Sequence, residues 1–227
     1  MSQSLVIVGT DTGCGKTMVT GLLAHYLTTI PHCRVTTQKL VQTGDTTDND
    51  LATHDHYAPN MTNLPLSLRC PYSFPDPVSP HFAAEIQSQT INIDRITTAF
   101  YALSKQVDYL LCETSGGIMV PYSENTTQLD ILIQLNVPVI VVAANQLGTL
   151  NHTLLTVNTL LSEKLPVCGV ILSQPYSNID ADLLANNEST LRHWLPVPVL
   201  GSLPYRTKTD LLHSEFKPIA KQLIQIL

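Results

Sequence analysis

The sequence predicts an α/β fold in which helices cover both faces of a mostly parallel central sheet. Short runs rich in Val, Ile and Leu recur along the chain, and their apolar residues follow one another without alternating polar positions. Stretches with helical periodicity lie between several of these runs. Continuous apolar strands separated by helices are typical of a parallel sheet that is buried on both faces.

The first elements are a strand, a helix and a second strand. The first strand is predicted at residues 4–8, a β-branched run that ends at Gly9. The helix is predicted at residues 16–28, where apolar residues recur on one face, and Pro31 stops it. The second strand is predicted at residues 34–38.

Four further strands and two further helices are predicted later in the chain. The strands are apolar runs at residues 107–112, 137–144, 167–172 and 197–201. The helices are at residues 150–163 and 215–227. No linker rich in Gly, Ser or Pro divides the sequence and no internal repeat is present, so we expect one domain over residues 1–227.

Charge is scarce in this chain. Of its 227 residues 13% are charged, against about 25% in an ordinary globular protein, and the net charge is −6. The apolar share of 44% and the low net charge argue against a disordered chain. The lack of a basic excess disfavours a nucleic-acid-binding protein. The longest apolar run, residues 137–144, is far shorter than the roughly 20 residues that span a membrane, and the start lacks the basic region of a signal peptide.

The cysteines favour a reducing compartment. There are five of them, widely spaced and without a CxxC pair. This pattern argues against a disulfide framework or a zinc site and predicts a cytoplasmic protein.

A glycine-rich segment between the first strand and the first helix carries the strongest chemical signal. It reads GTDTGCGKT, and Gly15, Lys16 and Thr17 fit the end of the P-loop pattern. The first glycine of that pattern is displaced by one residue, because Gly9 precedes Thr10. A strand before and a helix after are the required context, and they favour a P-loop NTPase-like fold over an ordinary strand–helix turn. Lys16 is then expected to reach the β- and γ-phosphates, and the Thr17 hydroxyl to bind Mg²⁺.

Two further polar residues end predicted strands. Glu113 closes an apolar run, at a place where a nucleotide enzyme positions a metal ligand, although a solvated strand end is the alternative. Gly116 and Gly117, just beyond it, permit close approach of the backbone to a ligand. Lys39 ends the second strand, where a second cation would meet the γ-phosphate.

Acidic residues follow Lys39. They form a local cluster suited to Mg²⁺, or a solvated loop, at Asp45, Asp48, Asp50 and Asp55. His54 and His56 form at best a weak metal pair, since they are two residues apart in a polar segment. Later in the chain, Gly148 and Thr149 precede a helix whose free N–H groups favour a carboxylate, although an ordinary helix cap is the simpler explanation.

Together these segments resemble the dethiobiotin synthetase family, from Gly9 to about Pro204. The matching pieces are GTDTGCGKT, KLVQTG, DND, PYSFPDPVSPH, ETSGG, LGTLNH and PVLGSLP. The resemblance implies a ligase of biotin biosynthesis that uses ATP, CO₂ and 7,8-diaminononanoate. In that reaction one amine is carbamoylated, the carbamate attacks the γ-phosphate to give a carbamic–phosphoric anhydride, and the second amine closes the ring and expels phosphate.

The resemblance also implies roles for individual residues. Catalytic roles fall on Lys16, Lys39 and Thr43, the last as a hydrogen-bond partner of the carbamate. Mg²⁺ would be held by Thr17, Asp50 and Glu113. Nucleotide contacts would come from Thr12, Gly13, Cys14, Gly15, Lys16, Thr17, Ser173, Gln174 and Pro204. The diamine substrate would be bound by Thr43, Gly116, Gly117, Thr149, Leu150 and Asn151. The last three would bind its carboxylate across the interface of a homodimer, with neither nucleic acid nor membrane as partner.

The chain departs from the family pattern at three places. Thr114 and Ser115 stand where the family usually has Gly-Ala. Ser173 and Gln174 stand where it often has Asn-Asp, whose amide reads adenine. Gly13 replaces a frequent acid in the P-loop.

Two other functions are compatible with a P-loop. The first is a switch ATPase with a protein partner, like the partitioning and cell-division ATPases with related P-loops. Those have a second Lys near the start of the loop, where this chain has Thr10, Asp11 and Thr12, and an Asp-rich end to strand two, where it has Lys39. The second is the synthetase domain of the cobyrinic-acid amidase family, which is expected with an attached glutaminase domain that 227 residues do not accommodate.

Overall fold

The computed structural model describes residues 2–44, 49–206 and 209–227, and in those ranges the chain forms ten strands and nine helices. The strands are β1 (Gln3–Gly9), β2 (Val35–Lys39), β3 (Val41–Thr43), β4 (Tyr72–Phe74), β5 (Tyr109–Gly117), β6 (Pro121–Ser123), β7 (Thr126–Thr127), β8 (Val139–Ala144), β9 (Val167–Ser173) and β10 (Val199–Leu203). The helices are α1 (Lys16–Thr28), α2 (Asp50–Tyr57), α3 (Leu66–Arg69), α4 (Pro80–Ile86), α5 (Ile93–Ser104), α6 (Gln128–Leu135), α7 (Thr149–Ser162), α8 (Ala181–Trp194) and α9 (Thr209–Ile226).

Six of the strands form one parallel sheet in the order β10-β9-β8-β1-β5-β2, as the apolar runs predict. Alternate residues of β1 enter two separate cores. Val6 and Val8 pack with residues of α5, α6 and α7 on one face. Leu5 and Ile7 pack with residues of α1 and α9 on the other face. The predicted α/β fold with helices on both faces is therefore confirmed.

The strand order places the polar strand ends together. From β1 the chain runs to β2 and β5 on one side, and it later continues through β8, β9 and β10 on the other side. Open α/β sheets bind ligands beyond the carboxyl ends of the strands, where the order reverses. At that edge lie the P-loop after β1, Lys39 at the end of β2 and the last residues of β5.

The C-terminal helix differs from its prediction. It begins at Thr209 rather than at residue 215, and it contains Pro218. Proline removes one helical hydrogen bond, but Phe216 and Ile219 on either side of it are buried against the sheet, and their packing outweighs that loss. No helix in the described part of the chain is long and apolar enough to cross a membrane.

Close packing of α1 on α2 depends on a glycine. A methyl group on Gly21, in the middle of α1, would lie 2.8 Å from Cβ and 3.0 Å from Cδ2 of Tyr57 at the end of α2. Glycine inside a helix costs about 1 kcal/mol relative to alanine, so this contact explains why a glycine is found there.

Gly21→Ala is expected to lower the free energy of unfolding by about 1–3 kcal/mol, because overpacking against Tyr57 exceeds the gain in helix propensity. Urea denaturation measures this change. Asn158→Ala, at an exposed position inside α7, is the control and should leave stability unchanged or slightly raised. Equal or greater stability of Gly21→Ala would contradict the proposed contact.

Candidate active site

The candidate site is a cavity of about 480 Å³ beyond the carboxyl ends of β1, β2 and β5. It brings together residues from the P-loop, β2, β3, α2 and the end of β5. The predicted site residues that line it are Thr12, Gly13, Gly15, Lys16, Thr17, Lys39, Thr43, Asp50, Glu113 and Gly116. Gln42 and Ser79 also line the cavity, although neither is among the predicted site residues.

The P-loop presents an uncapped helix start to the cavity. Gly15, at the N-cap of α1, has a φ of 96°, and no side chain caps the helix or adds an acid to its first turn. The first N–H groups of a helix have no intrahelical acceptor and carry a partial positive charge. A methyl group on Gly15 would lie 2.5 Å from the Ser173 hydroxyl, so steric space and backbone conformation both require glycine. This helix start is suited to binding an anion such as a phosphate.

Lys16 lies along the loop. Its Nζ donates to the Asp11 carbonyl at 2.9 Å and lies 3.9 Å from Cys14 Sγ. The Cys14 side chain is buried in the core below the loop, so a contact between Cys14 and a nucleotide would use the backbone N–H.

Three oxygen-bearing side chains meet at the centre of the cavity. Thr17 Oγ1, on α1, is 2.8 Å from Asp50 Oδ1 and 2.9 Å from Glu113 Oε1. A hydroxyl has one proton, so it donates to one carboxylate at a time. Two carboxylates and a hydroxyl are hard oxygen donors, which fit the preference of Mg²⁺. In the described ranges no group of three or more His, Cys, Asp or Glu has metal-binding geometry, so a cation here needs the threonine and further oxygens from its ligand.

Lys39 is buried between the two carboxylates. Its Nζ contacts Glu113 Oε1 at 2.9 Å, Asp50 Oδ2 at 2.5 Å and the Thr114 carbonyl at 3.0 Å. Burial alone would lower the pKa of Lys39, but Glu113 and Asp50 raise it above its usual value. Burial alone would raise the pKa of Glu113, but Lys39 and His54 hold it well below its usual range. The site therefore contains a stable ammonium and a stable carboxylate near neutral pH.

Of the four predicted acidic residues after Lys39, two lie in the described ranges, and one of these two reaches the site. Asp50 reaches the site, where its backbone N–H donates to Gln42 Oε1 at 3.2 Å. Asp55 does not reach it: its carboxylate pairs with Arg69 at 2.7 Å and is half exposed. Asp45 and Asp48 lie outside the described residues.

The two histidines of α2 do not form a pair. His54 is fully buried and hydrogen-bonds Glu113, whereas His56 is exposed. Residues two apart on a helix point to nearly opposite sides, so these two histidines do not face one metal site, in keeping with the weakness of that signal in the sequence. The sequence does contain a usable signal: Asp50 and His54 are four residues apart, the spacing that places two side chains on one helix face.

The departures at Thr114 and Ser115 are accommodated by hydrogen bonds. The pairing of β1 with β5 is interrupted between Ile7 and Gly9. The unpaired residues of β5 at this point include Thr114 and Ser115. Thr114 Oγ1 donates to the Ile7 carbonyl at 3.1 Å, and Ser115 Oγ donates to the Val41 carbonyl at 2.5 Å. Both hydroxyls therefore fix the end of β5 to neighbouring strands.

The nucleotide contacts predicted at the ends of β9 and β10 do not line the P-loop cavity. Gln174 and Pro204 line a separate cavity of about 350 Å³ at the ends of β9 and β10. Ser173 is 1% exposed and does not line it, because its hydroxyl lies beside Gly15. Gly117, directly after Gly116, is not among the cavity-lining residues.

The predicted carboxylate site is the start of α7. Gly148, the N-cap residue, has a φ of 92° and no side chain caps the helix. Thr149 is buried, Leu150 is half-buried and Asn151 is exposed, and none of the three lines the P-loop cavity. Within one chain, this helix start and the P-loop cavity are separate.

The chain is similar in sequence to proteins named as dethiobiotin synthetases. A family model described as an AAA domain matches residues 3–211. ATP-dependent dethiobiotin synthetase BioD 2 of Pasteurella multocida is 37% identical over 202 residues, which cover 86% of this chain and 92% of that protein. ATP-dependent dethiobiotin synthetase BioD of Thermodesulfovibrio yellowstonii is 34% identical over 223 residues, which cover 92% of each protein.

Two solved structures with a similar fold have names of other kinds. A plasmid partition protein from Borrelia burgdorferi superposes with a TM-score of 0.62 at 13% identity, over 100% of both chains. The cell division ATPase MinD of Pyrococcus furiosus gives 0.60 at 13% identity, also over 100% of both chains. At such identities the likeness shows the fold alone, and it confirms the predicted P-loop NTPase-like fold. It does not favour the switch-ATPase alternative over the function named by the sequence relatives.

Proposed function

Because this chain belongs to the ATP-dependent dethiobiotin synthetase family, we propose that it carboxylates 7,8-diaminononanoate with CO₂ and closes the ureido ring with conversion of ATP to ADP and phosphate. The observation that carries this proposal is the cluster of Thr17, Lys39, Asp50 and Glu113 at the end of a P-loop cavity. Such a cluster suits phosphoryl transfer to a bound acid, because that reaction depends on positioning and charge neutralisation.

Mg²⁺ is part of the proposal, since the donor atoms present fit it. Thr17, Asp50 and Glu113 would hold the ion, and the bound ion would neutralise charge on the phosphates. Lys39 contacts both carboxylates, and it holds the pKa of Glu113 well below its usual range, so that this carboxylate is ionised and able to bind a cation.

The two lysines have different tasks in this proposal. Lys16 lies on the P-loop and would bind the β- and γ-phosphates from that side. Lys39 enters from β2 and would stabilise the charge that develops as the carbamate oxygen attacks the γ-phosphate. The Thr43 hydroxyl, at the cavity wall, would orient the carbamate.

The substrate carboxylate gives the reason to propose a homodimer. The start of α7 at Thr149, Leu150 and Asn151 does not line the P-loop cavity of its own chain. A second copy would have to bring this helix start to the cavity for it to bind the carboxylate. We place the enzyme in the cytoplasm, in keeping with the five cysteines, which are all free.

A product assay tests the function. Purified protein is supplied with the diamine, bicarbonate, Mg²⁺ and either ATP, CTP or GTP, and dethiobiotin is detected by mass. We expect product with ATP. No product with any of the three nucleotides would contradict the proposal.

Asp50→Asn and Glu113→Gln test the metal site. Each is expected to raise the Mg²⁺ concentration for half-maximal rate by about 10–100-fold, because a contact with a charged group is worth about 1.5–3 kcal/mol. Glu163→Gln, at an exposed position after α7, is the matched control and should leave the metal titration unchanged. An unchanged titration for Asp50→Asn or Glu113→Gln would remove that residue from the metal site.

A further inference from the structure

A buried hydrogen-bonded chain leads from Glu113 away from the cavity. His54 Nε2 is 2.7 Å from Glu113 Oε2, and His54 Nδ1 is 3.1 Å from Thr37 Oγ1. His54 and Thr37 are 0% exposed and Glu113 is 1% exposed. The chain continues to Arg69, whose guanidinium contacts Thr37 and the half-exposed Asp55.

The two oxygens of Glu113 have separate tasks. Oε1 faces the cavity, where it contacts Thr17 Oγ1 and Lys39 Nζ, each at 2.9 Å. Oε2 faces the protein interior, where it contacts His54. Since His54 occupies Oε2, rotation of the carboxylate about its terminal bond would break this hydrogen bond.

Arg69 sets the direction of the chain, because a guanidinium can only donate. Arg69 Nη2 donates to Thr37 Oγ1 at 3.0 Å, and Arg69 Nε donates to the Thr37 carbonyl at 3.2 Å. The Thr37 hydroxyl proton then points to His54 Nδ1, its one contact in the described ranges that can accept. His54 therefore donates from Nε2–H to Glu113, and this requires only a neutral imidazole.

We propose that His54 is a positioning residue for the reaction: it holds Glu113 so that Oε1 stays directed into the cavity, beside Thr17, where the metal would bind. The inference rests on the proposed function, because it assigns Glu113 to the metal. Groups that hydrogen-bond a metal-binding side chain fix its orientation, and their loss typically weakens metal affinity by about 10–100-fold.

A set of matched variants tests this role. His54→Leu keeps the approximate volume and removes the donor, whereas His54→Gln keeps a donor near the position of Nε2. The readout is Mn²⁺ affinity, measured by electron paramagnetic resonance with a non-hydrolysable ATP analogue and without diamine. We expect His54→Leu to weaken Mn²⁺ binding by about 10–100-fold and His54→Gln to restore most of it. His56→Leu, on the exposed side of the same helix, is the control and should bind Mn²⁺ as the wild type does.

A second pair of variants covers the case in which His54→Leu does not fold. Thr37→Val removes the hydroxyl that orients His54 Nδ1, and Thr37→Ser keeps it. Thr37→Val is expected to weaken Mn²⁺ binding and Thr37→Ser to leave it close to wild type. Folded variants of both residues with unchanged Mn²⁺ affinity would overturn the proposal. This outcome is distinct from failure of the proposed function, which would appear as wild-type protein that makes no dethiobiotin.

Discussion

Lys16→Ala is expected to lower turnover by on the order of 10²–10³, the typical cost of losing one group that stabilises charge in the transition state. Lys16 is the P-loop lysine, its Nζ is held by the Asp11 carbonyl at 2.9 Å, and its side chain lines the cavity. In the proposed reaction its charge would act on the transferred phosphoryl group, so the loss should appear in kcat at saturating ATP.

The control for this variant is Lys221→Ala, which removes an exposed lysine of α9 and leaves the formal net charge equal to that of Lys16→Ala. Its turnover should match the wild type. Ring closure at the wild-type rate in Lys16→Ala would refute the role of the P-loop lysine.

Lys39→Met is expected to abolish most turnover and to lower the free energy of unfolding by about 3–5 kcal/mol, because it leaves two carboxylates without their shared counter-charge. Lys39 is 5% exposed and contacts both Asp50 and Glu113. The same loss should increase affinity for Mg²⁺, since the cation then replaces the ammonium between the carboxylates. A variant that loses turnover while gaining Mg²⁺ affinity would distinguish Lys39 from the proposed metal ligands, whose loss is expected to weaken Mg²⁺ binding.

The pH dependence of Lys39→Met has a definite sign. In the wild type the pKa of Glu113 is held below its usual value, so this carboxylate stabilises the fold above its ordinary pKa. Without Lys39, burial becomes the dominant influence and raises the pKa of Glu113. The destabilisation relative to wild type should therefore be smaller in mildly acidic than in mildly alkaline buffer, as urea denaturation would measure.

A double variant provides the control. Glu113→Gln removes one of the two charges that Lys39 neutralises, so Lys39→Met combined with Glu113→Gln should be less destabilised than the sum of the two single variants. Additive effects would show that Lys39 and Glu113 do not act as a pair.

Short contiguous signals made the centre of the site predictable. The P-loop is a local motif, and α1 begins at Lys16 and ends at Thr28 as its periodicity predicts. Lys39 and Glu113 were predictable because each ends a predicted strand, and parallel strands bring such ends to one edge of the sheet. The register pairs these two residues directly across β2 and β5.

The remaining parts of the site depend on tertiary contacts. α2 has eight residues and few apolar side chains, so no helical periodicity predicts it. His54 is buried because α2 packs against both α1 and β2. The strands β3 and β4 pair although Thr43 and Tyr72 are far apart in sequence. Thr114 departs from the family pattern, and its hydroxyl finds an acceptor in the Ile7 carbonyl because the pairing of β1 with β5 is irregular there.

The contact of Gly21 with Tyr57 also determines how substitutions will be tolerated far from the cavity. α1 begins at the P-loop and α2 begins at Asp50, so the interface between these helices helps to set the separation of Thr17 from Asp50. Their 2.8 Å contact would be lost if the helices moved apart. Gly21 does not line the cavity, yet a larger residue there is expected to disturb the geometry of the proposed metal site.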